Sequence, residues 1–184
     1  MNLVDRVKNI LLSPKDEWPK IAGETETTQS LYTSYIMILA AIGPIAILVQ
    51  SLAVDAVSAI VYYLVSLGVC YGVAMVVDML APTFAGEKNF MQSLKLTAYS
   101  YTAAWVGGIL QLLGMLGGIL GLLAALYSLY TFYLGVTVMK KCPPEKAIPY
   151  TVVVVLCVIV AVAVIGAVIG ALFRSASSGM MPGN

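Results

Sequence analysis

The chain contains no histidine in its 184 residues. That one absence removes Ser-His-Asp and Cys-His catalysis, His-ligated metals and imidazole proton relays together. Charge is scarce as well. Only 10% of residues are charged and 60% are hydrophobic, whereas a soluble domain carries roughly 25% charged residues. The mean hydropathy is +0.94. A bigger core does not account for that deficit, so lipid is the expected solvent for most of the chain. The net charge is +1, and no basic stripe is present to collect phosphates, which argues against a nucleic-acid partner. Cys70, Cys142 and Cys157 are scattered with no CxxC spacing, so they read as small apolar packing residues and not as a metal or redox site. No metal or cofactor is expected. The opening "MNLVDRVKNILLSPKDEWPK" has acids where a signal peptide is cationic and lacks a long apolar segment, so internal spans must drive insertion.

What the sequence does have is a succession of apolar runs. A spanning helix needs about 20 mostly apolar residues, and five stretches qualify: 31–52, 56–79, 91–113, 117–139 and 150–173. The expected fold class is therefore all-α: a polytopic membrane protein with five transmembrane helices over 31–173, after a leader (1–30) and before a short tail (174–184). Gly43-Pro44 should kink the first span by removing a backbone hydrogen bond. "QLLGMLGG" joins the third and fourth as a tight hairpin. The β-branched run of the fifth would favour a strand in water, but its length favours a helix in lipid. Lysines and arginines on alternate sides of these spans count nine against one, with only Arg174 on the minority side. The amino terminus is thus expected in the cytoplasm and the carboxyl terminus outside. Within the leader, Leu3, Val4, Val7, Ile10 and Leu11 recur at helical spacing opposite Asp5, Arg6, Lys8 and Asn9, an amphipathic pattern. Ser13 and Pro14 then offer an N-cap and first helical position, with Asp16 three residues after Ser13. Trp18 and the apolar face suit either the membrane interface or the protein's own spans.

Few residues could carry chemistry. Asp55 and Asp78 bracket the second span and sit near opposite interfaces, so they cannot form an aspartyl dyad. Asp78 falls at the C-terminal end of its helix, where the dipole disfavours an anion. Asn89, with Gln92 three residues on, can cap a helix from Phe90, which places Lys95 in its second turn with the opposite problem. Asp78 and Lys95 could therefore neutralise each other, or each could snorkel to water. With Lys88, they make the loop "DMLAPTFAGEKNFMQSLK" the candidate cytoplasmic interaction surface. Tyr99, Tyr101, Trp105, Tyr127, Tyr130 and Tyr133 form a polar aromatic group that could line a ligand pocket or pack between helices. Gly114 and Gly118, Gly117 and Gly121, and Gly166 and Gly170 are small-xxx-small pairs for close helix packing, within the chain or between copies.

Three segments then resemble the Yip family (Ypt/Rab-interacting, five-span membrane proteins), in particular its short bacterial branch. They are "LLSPKDEWPKIAGE" leading into "SLYTSYIMILAAIGPIA", then "LAPTFAGEKNFMQSLKLTAYSYTAAWVGGIL", and "LYSLYTFYLGVTVMKKCPPEKAIPY" before the last span. The resemblance implies five spans, a cytoplasmic amino terminus and residence in a bacterial inner membrane. Eukaryotic relatives act in early secretory traffic, associate with small prenylated GTPases and with one another, and affect membrane shape. Their GTPase link is tied partly to a longer cytosolic region, so GTPase binding is not expected of this short form. The expected function is non-enzymatic: a membrane scaffold, interaction or bilayer-shaping protein, with the lipid bilayer and itself or other membrane proteins as partners. A small oligomeric transporter or channel is the alternative, for which the Gly43-Pro44 break speaks.

Overall fold

A computed structural model describes residues 2–50 and 56–178, and every regular element within them is helical. Asp55 lies outside the described residues. The leader forms a hairpin of two short helices, α1 (Leu3–Leu12) and α2 (Pro14–Gly23), hinged at Ser13. Ser13 does stand at the N-cap, but its hydroxyl makes no cap hydrogen bond. Its carbonyl instead accepts from the amides of Asp16 and Glu17, at 3.2 Å each. The hairpin's inner face packs on the protein's own helices. Ile10, Trp18 and Ile21 are buried there, and so is Arg6, which the helical pattern placed on the solvent side.

Among the described residues, four helices are long and apolar enough to cross a membrane: Thr28–Val49, Ala56–Phe84, Met115–Met139 and Pro144–Val168. The first is interrupted. It comprises α3 (Thr28–Leu31), a π-turn (Tyr32–Ile36), α4 (Met37–Ala40) and α5 (Ile42–Gln50). The break falls at Ala41, so Pro44 occupies the first turn of α5, where its missing N–H costs nothing. The second is α6 (Ala56–Leu80) closed by a 3₁₀ turn, Ala81–Phe84. The stretch expected as an unbroken third span is instead α7 (Phe90–Ser100), α8 (Thr102–Gly107) and a 3₁₀ turn, Gly108–Leu113. At the first break the Thr102 hydroxyl donates to the Tyr99 carbonyl at 2.7 Å, a side-chain bond that competes with the helical ladder.

Gly114, at φ 60°, then reverses the chain into α9 (Met115–Met139). The reversal is tight: a Cβ on Gly117 would lie 1.9 Å from the Leu110 carbonyl oxygen. The last helix, α10, runs Pro144–Ser178.

These helices make a bundle with two unlike halves. Around α7, every residue from Ser93 to Ser100 is buried, and the surrounding core draws on α1 and α2, the first span from Leu31 to Leu39, the last turns of α6 and α9, and the start of α10. Toward the other end the helices expose apolar side chains outward, among them Ile60, Leu64, Leu122, Leu123, Leu126, Ile159 and Val164. That half has the surface expected of a protein solvated by lipid.

Candidate functional site

The buried half holds the charged groups. Asn89 caps α7 as the sequence indicates, its side chain accepting from the Gln92 amide at 3.1 Å. Gln92 does not reach back; its Nε2 donates to the Ala22 carbonyl at 3.1 Å, tying α7 to α2. Asp78 takes the backbone amide of Asn89 at 2.7 Å. The charge partner of Asp78 is Lys140, at 2.9 Å, and not Lys95. Helix geometry explains the correction. Ser93 faces Asp78, donating to it at 3.1 Å, and a residue two positions further along α7 points about 200° away. Lys140 is wholly buried, and its ammonium spends its donors on Asp78, the Asn89 carbonyl at 3.1 Å and Ser93 Oγ at 2.7 Å. Burial lowers the pKa of that ammonium, and the Asp78 carboxylate opposes the shift. Backbone pairing adds to the clasp, since the Glu87 amide donates to the Lys140 carbonyl at 2.7 Å. The turns after α6 and α9 are thereby fastened together.

Lys95 serves a different purpose. Its Nζ donates to the carbonyls of Ile21 (3.0 Å) and Glu24 and lies 3.9 Å from Glu26. Those carbonyls end α2, so the lysine complements the negative pole of that helix from outside it. Arg6 pairs with both Glu17 and Glu24, and its guanidinium lies 5.5 Å from the Tyr99 ring centroid. Burial by itself would lower the Arg6 pKa; the Glu24 hydrogen bond and the neighbouring carboxylates outweigh it and raise the group above its usual value. Tyr99 donates to Glu26 at 3.2 Å and packs against Tyr35, with ring centroids 4.6 Å apart. Arg6, Glu24, Glu26, Tyr35 and Tyr99 line a polar cavity of about 220 Å³. The cluster is a near-balanced ion network, suited to holding the leader against the bundle.

The other predicted residues disperse. Lys88 is exposed on the loop. The tyrosines do not form one group: Tyr101 packs edge-on against Trp105 at 5.7 Å, Tyr127 lies 5.9 Å from Tyr130, and Tyr133 packs partly buried against the core. Tyr127 donates its hydroxyl to the Leu11 carbonyl at 2.7 Å, whereas Tyr99 donates to Glu26. Among the glycines singled out, Gly117 meets a close neighbour, whereas Cβ positions on Gly114, Gly118, Gly121 and Gly166 would meet nothing within 4 Å. Gly170 lies near the end of the described chain. The close approaches are made elsewhere, at Gly107 against Ala124, Gly108 against Gly43, and Gly135 against Trp18 and Leu96. Spacing identifies glycines that share a helix face, but it does not reveal whether another element approaches that face.

The family model of the Yip1 domain matches residues 8–165. No curated protein and no solved structure matches the chain.

Proposed function

The chain belongs to the Yip family of integral membrane proteins, and from that premise we propose that it works without catalysis, as a membrane scaffold, interaction or bilayer-shaping protein. One observation carries the reading. The buried charges are consumed within the fold, Lys140 on Asp78 and Arg6 and Lys95 on glutamates of the leader, while long apolar helix faces stand outward. What such a surface offers is contact with lipid and with other membrane helices. The same reading places five spans across the membrane, with α7, α8 and the turn that follows as the third. It puts the amino terminus in the cytoplasm, the carboxyl terminus outside and the chain in a bacterial inner membrane. The clasp of Asp78, Asn89, Ser93 and Lys140 with the exposed Lys88 and the Lys141–Glu87 surface pair then forms the cytoplasmic interaction face.

The transporter or channel reading is disfavoured by one contact. At the broken first span, a Cβ on Gly108 would come within 3.1 Å of Gly43 Cα, so the break is packed shut against the 3₁₀ turn. Purification with native lipids, followed by cross-linking and by reconstitution into liposomes, tests the proposal. A co-purifying membrane protein or altered liposome shape supports it; failure of both together with ion or solute flux would overturn it.

A further inference from the structure

Several hydroxyls on these helices find a backbone acceptor one turn back. Ser93 donates to the Asn89 carbonyl at 3.1 Å, Thr97 to the Ser93 carbonyl at 3.0 Å and Thr151 to the Ala147 carbonyl at 2.8 Å. Ser100 does not follow them. It is 1% exposed, and its Oγ has no hydrogen-bond partner among the described residues. A buried hydroxyl left unpaired is costly, and hydrocarbon holds no bulk water to relieve it.

The direction of that side chain follows from Ser93. Seven residues along a helix are about two turns, so Ser100 shares the face on which Ser93 meets Asp78 of α6 and Lys140 just past α9. Ser100 lies about 10 Å further along the axis, at about 1.5 Å per residue, still directed between α6 and α9. There the helices part. A cleft of about 330 Å³ opens between α6, the end of α7, α9 and α10, and Ser100 lines it with Tyr101, Ser128, Leu129, Val155 and Ile159. Ser128 Oγ accepts from the Ala104 amide at 3.0 Å, while its own hydroxyl hydrogen has no acceptor among the described residues. No charged side chain lines the cleft among the described residues. Leu126 and Ile159, at its edge, belong to the exposed apolar surface, so the cleft opens toward lipid.

A mostly apolar slot with a few convergent polar atoms is the usual form of a small-molecule site. The polar atoms here have hydrogens to give, which calls for an acceptor. The uncharged lining calls for an uncharged one. A bare hydrocarbon chain would leave both serines unpaired, and a water molecule would face an apolar wall.

We propose that this cleft binds an uncharged lipid bearing a carbonyl group, with Ser100 donating to the carbonyl oxygen, Ser128 as the second donor of the cleft, and the hydrocarbon lying between α9 and α10. The site is separate from the Asp78–Lys140 clasp and from the leader's ion network. It gives the protein a specific ligand, which goes beyond a scaffold or interaction role.

The test titrates three lipids into the full chain in dodecyl maltoside micelles and counts bound lipid by native mass spectrometry. They are dioleoylglycerol, its dialkyl-ether analogue, which lacks the carbonyls, and dioleoylphosphatidylglycerol. Dioleoylglycerol should bind one to one and about three- to tenfold more tightly than the ether, the worth of about one hydrogen bond. Ser100→Ala should abolish that preference without lowering the thermal stability of the lipid-free protein, because no bond within the fold is lost. Ser100→Thr, which keeps a hydroxyl, should retain the preference. Ala125→Phe, which fills the cleft, should weaken dioleoylglycerol binding at least about tenfold. Equal affinity for ester and ether, as expected if water satisfies Ser100, overturns the proposal, and so does a preference that survives Ser100→Ala. Destabilisation of the lipid-free protein by Ser100→Ala also overturns it, since the hydroxyl would then be bonded within the fold. Equal binding of phosphatidylglycerol overturns it as well, because the cleft would then be taking ordinary charged bilayer lipid. None of these results touches the membrane reading, which does not depend on the cleft.

Discussion

The clasp between Asp78 and Lys140 makes a prediction that sequence reasoning would have assigned to another pair. At 2.9 Å, with an effective dielectric of about 20, the attraction is about 6 kcal/mol. The side chains are 11% and 0% exposed, so salt screens them little, but each also gave up hydration to be there. The net value of the pair is therefore smaller, while removing one member strands the other. Lys140→Met should cost roughly 3–5 kcal/mol, and Asp78→Asn a comparable amount. Lys140→Met in the Asp78→Asn background should cost much less, a coupling of roughly 1–3 kcal/mol. Asp78→Asn combined with Lys95→Met should instead add within about 0.5 kcal/mol, because Lys95 is committed to α2 and Glu26. Sodium dodecyl sulfate titration in mixed micelles, followed by circular dichroism, reads these free energies. Strict additivity for Asp78 with Lys140, or stronger coupling of Asp78 with Lys95, would refute the reasoning.

Gly135→Leu should detach the leader, since even a Cβ there would lie 2.6 Å from Trp18 Cε2; limited proteolysis should then release the first 24 residues, while Gly121→Ala, facing open space, should change stability by less than about 1 kcal/mol. Arg6→Gln should destabilise by roughly 3–5 kcal/mol, because Glu17, 1% exposed, loses its buried partner; Lys20, its other partner, is itself 60% exposed and cannot compensate. Cys142 is buried and bonded to the Phe84 carbonyl, and burial pushes its thiol pKa up. It should therefore react with maleimide at pH 8 more slowly than a cysteine placed at the exposed Lys141, and denaturation should abolish the difference.

Local chemistry was the legible part of this protein. Asn89 caps the helix that its spacing with Gln92 announced, and Ser13-Pro14 begins α2, because such signals are complete within four residues. Hydropathy located the four long helices, because length and lipid leave a sequence little other choice. The side-chain partnerships were not legible. Asp78 reaches its lysine across 62 residues, and any lysine at that end of the bundle satisfied the same dipole argument. Arg6 fell on the polar side of a helical wheel and yet is buried, because Glu17 and Glu24 come round on the return arm of the hairpin. The third stretch looked continuous to hydropathy, which cannot see a threonine hydroxyl taking a backbone carbonyl at the break near Thr102.

The docking of Trp18 has a consequence in time. Its indole N–H is received by Thr131, 113 residues later in the chain, in a notch that exists only because Gly135 follows on the same helix. At about 5–20 residues per second, a ribosome takes roughly 6–23 s to traverse that interval. For that period the leader has been made and its seat has not. Its buried face, with Ile10, Trp18 and Ile21, must meanwhile be sheltered by the lipid surface or a chaperone, so the leader reaches its native position only after the helix that receives it has been made.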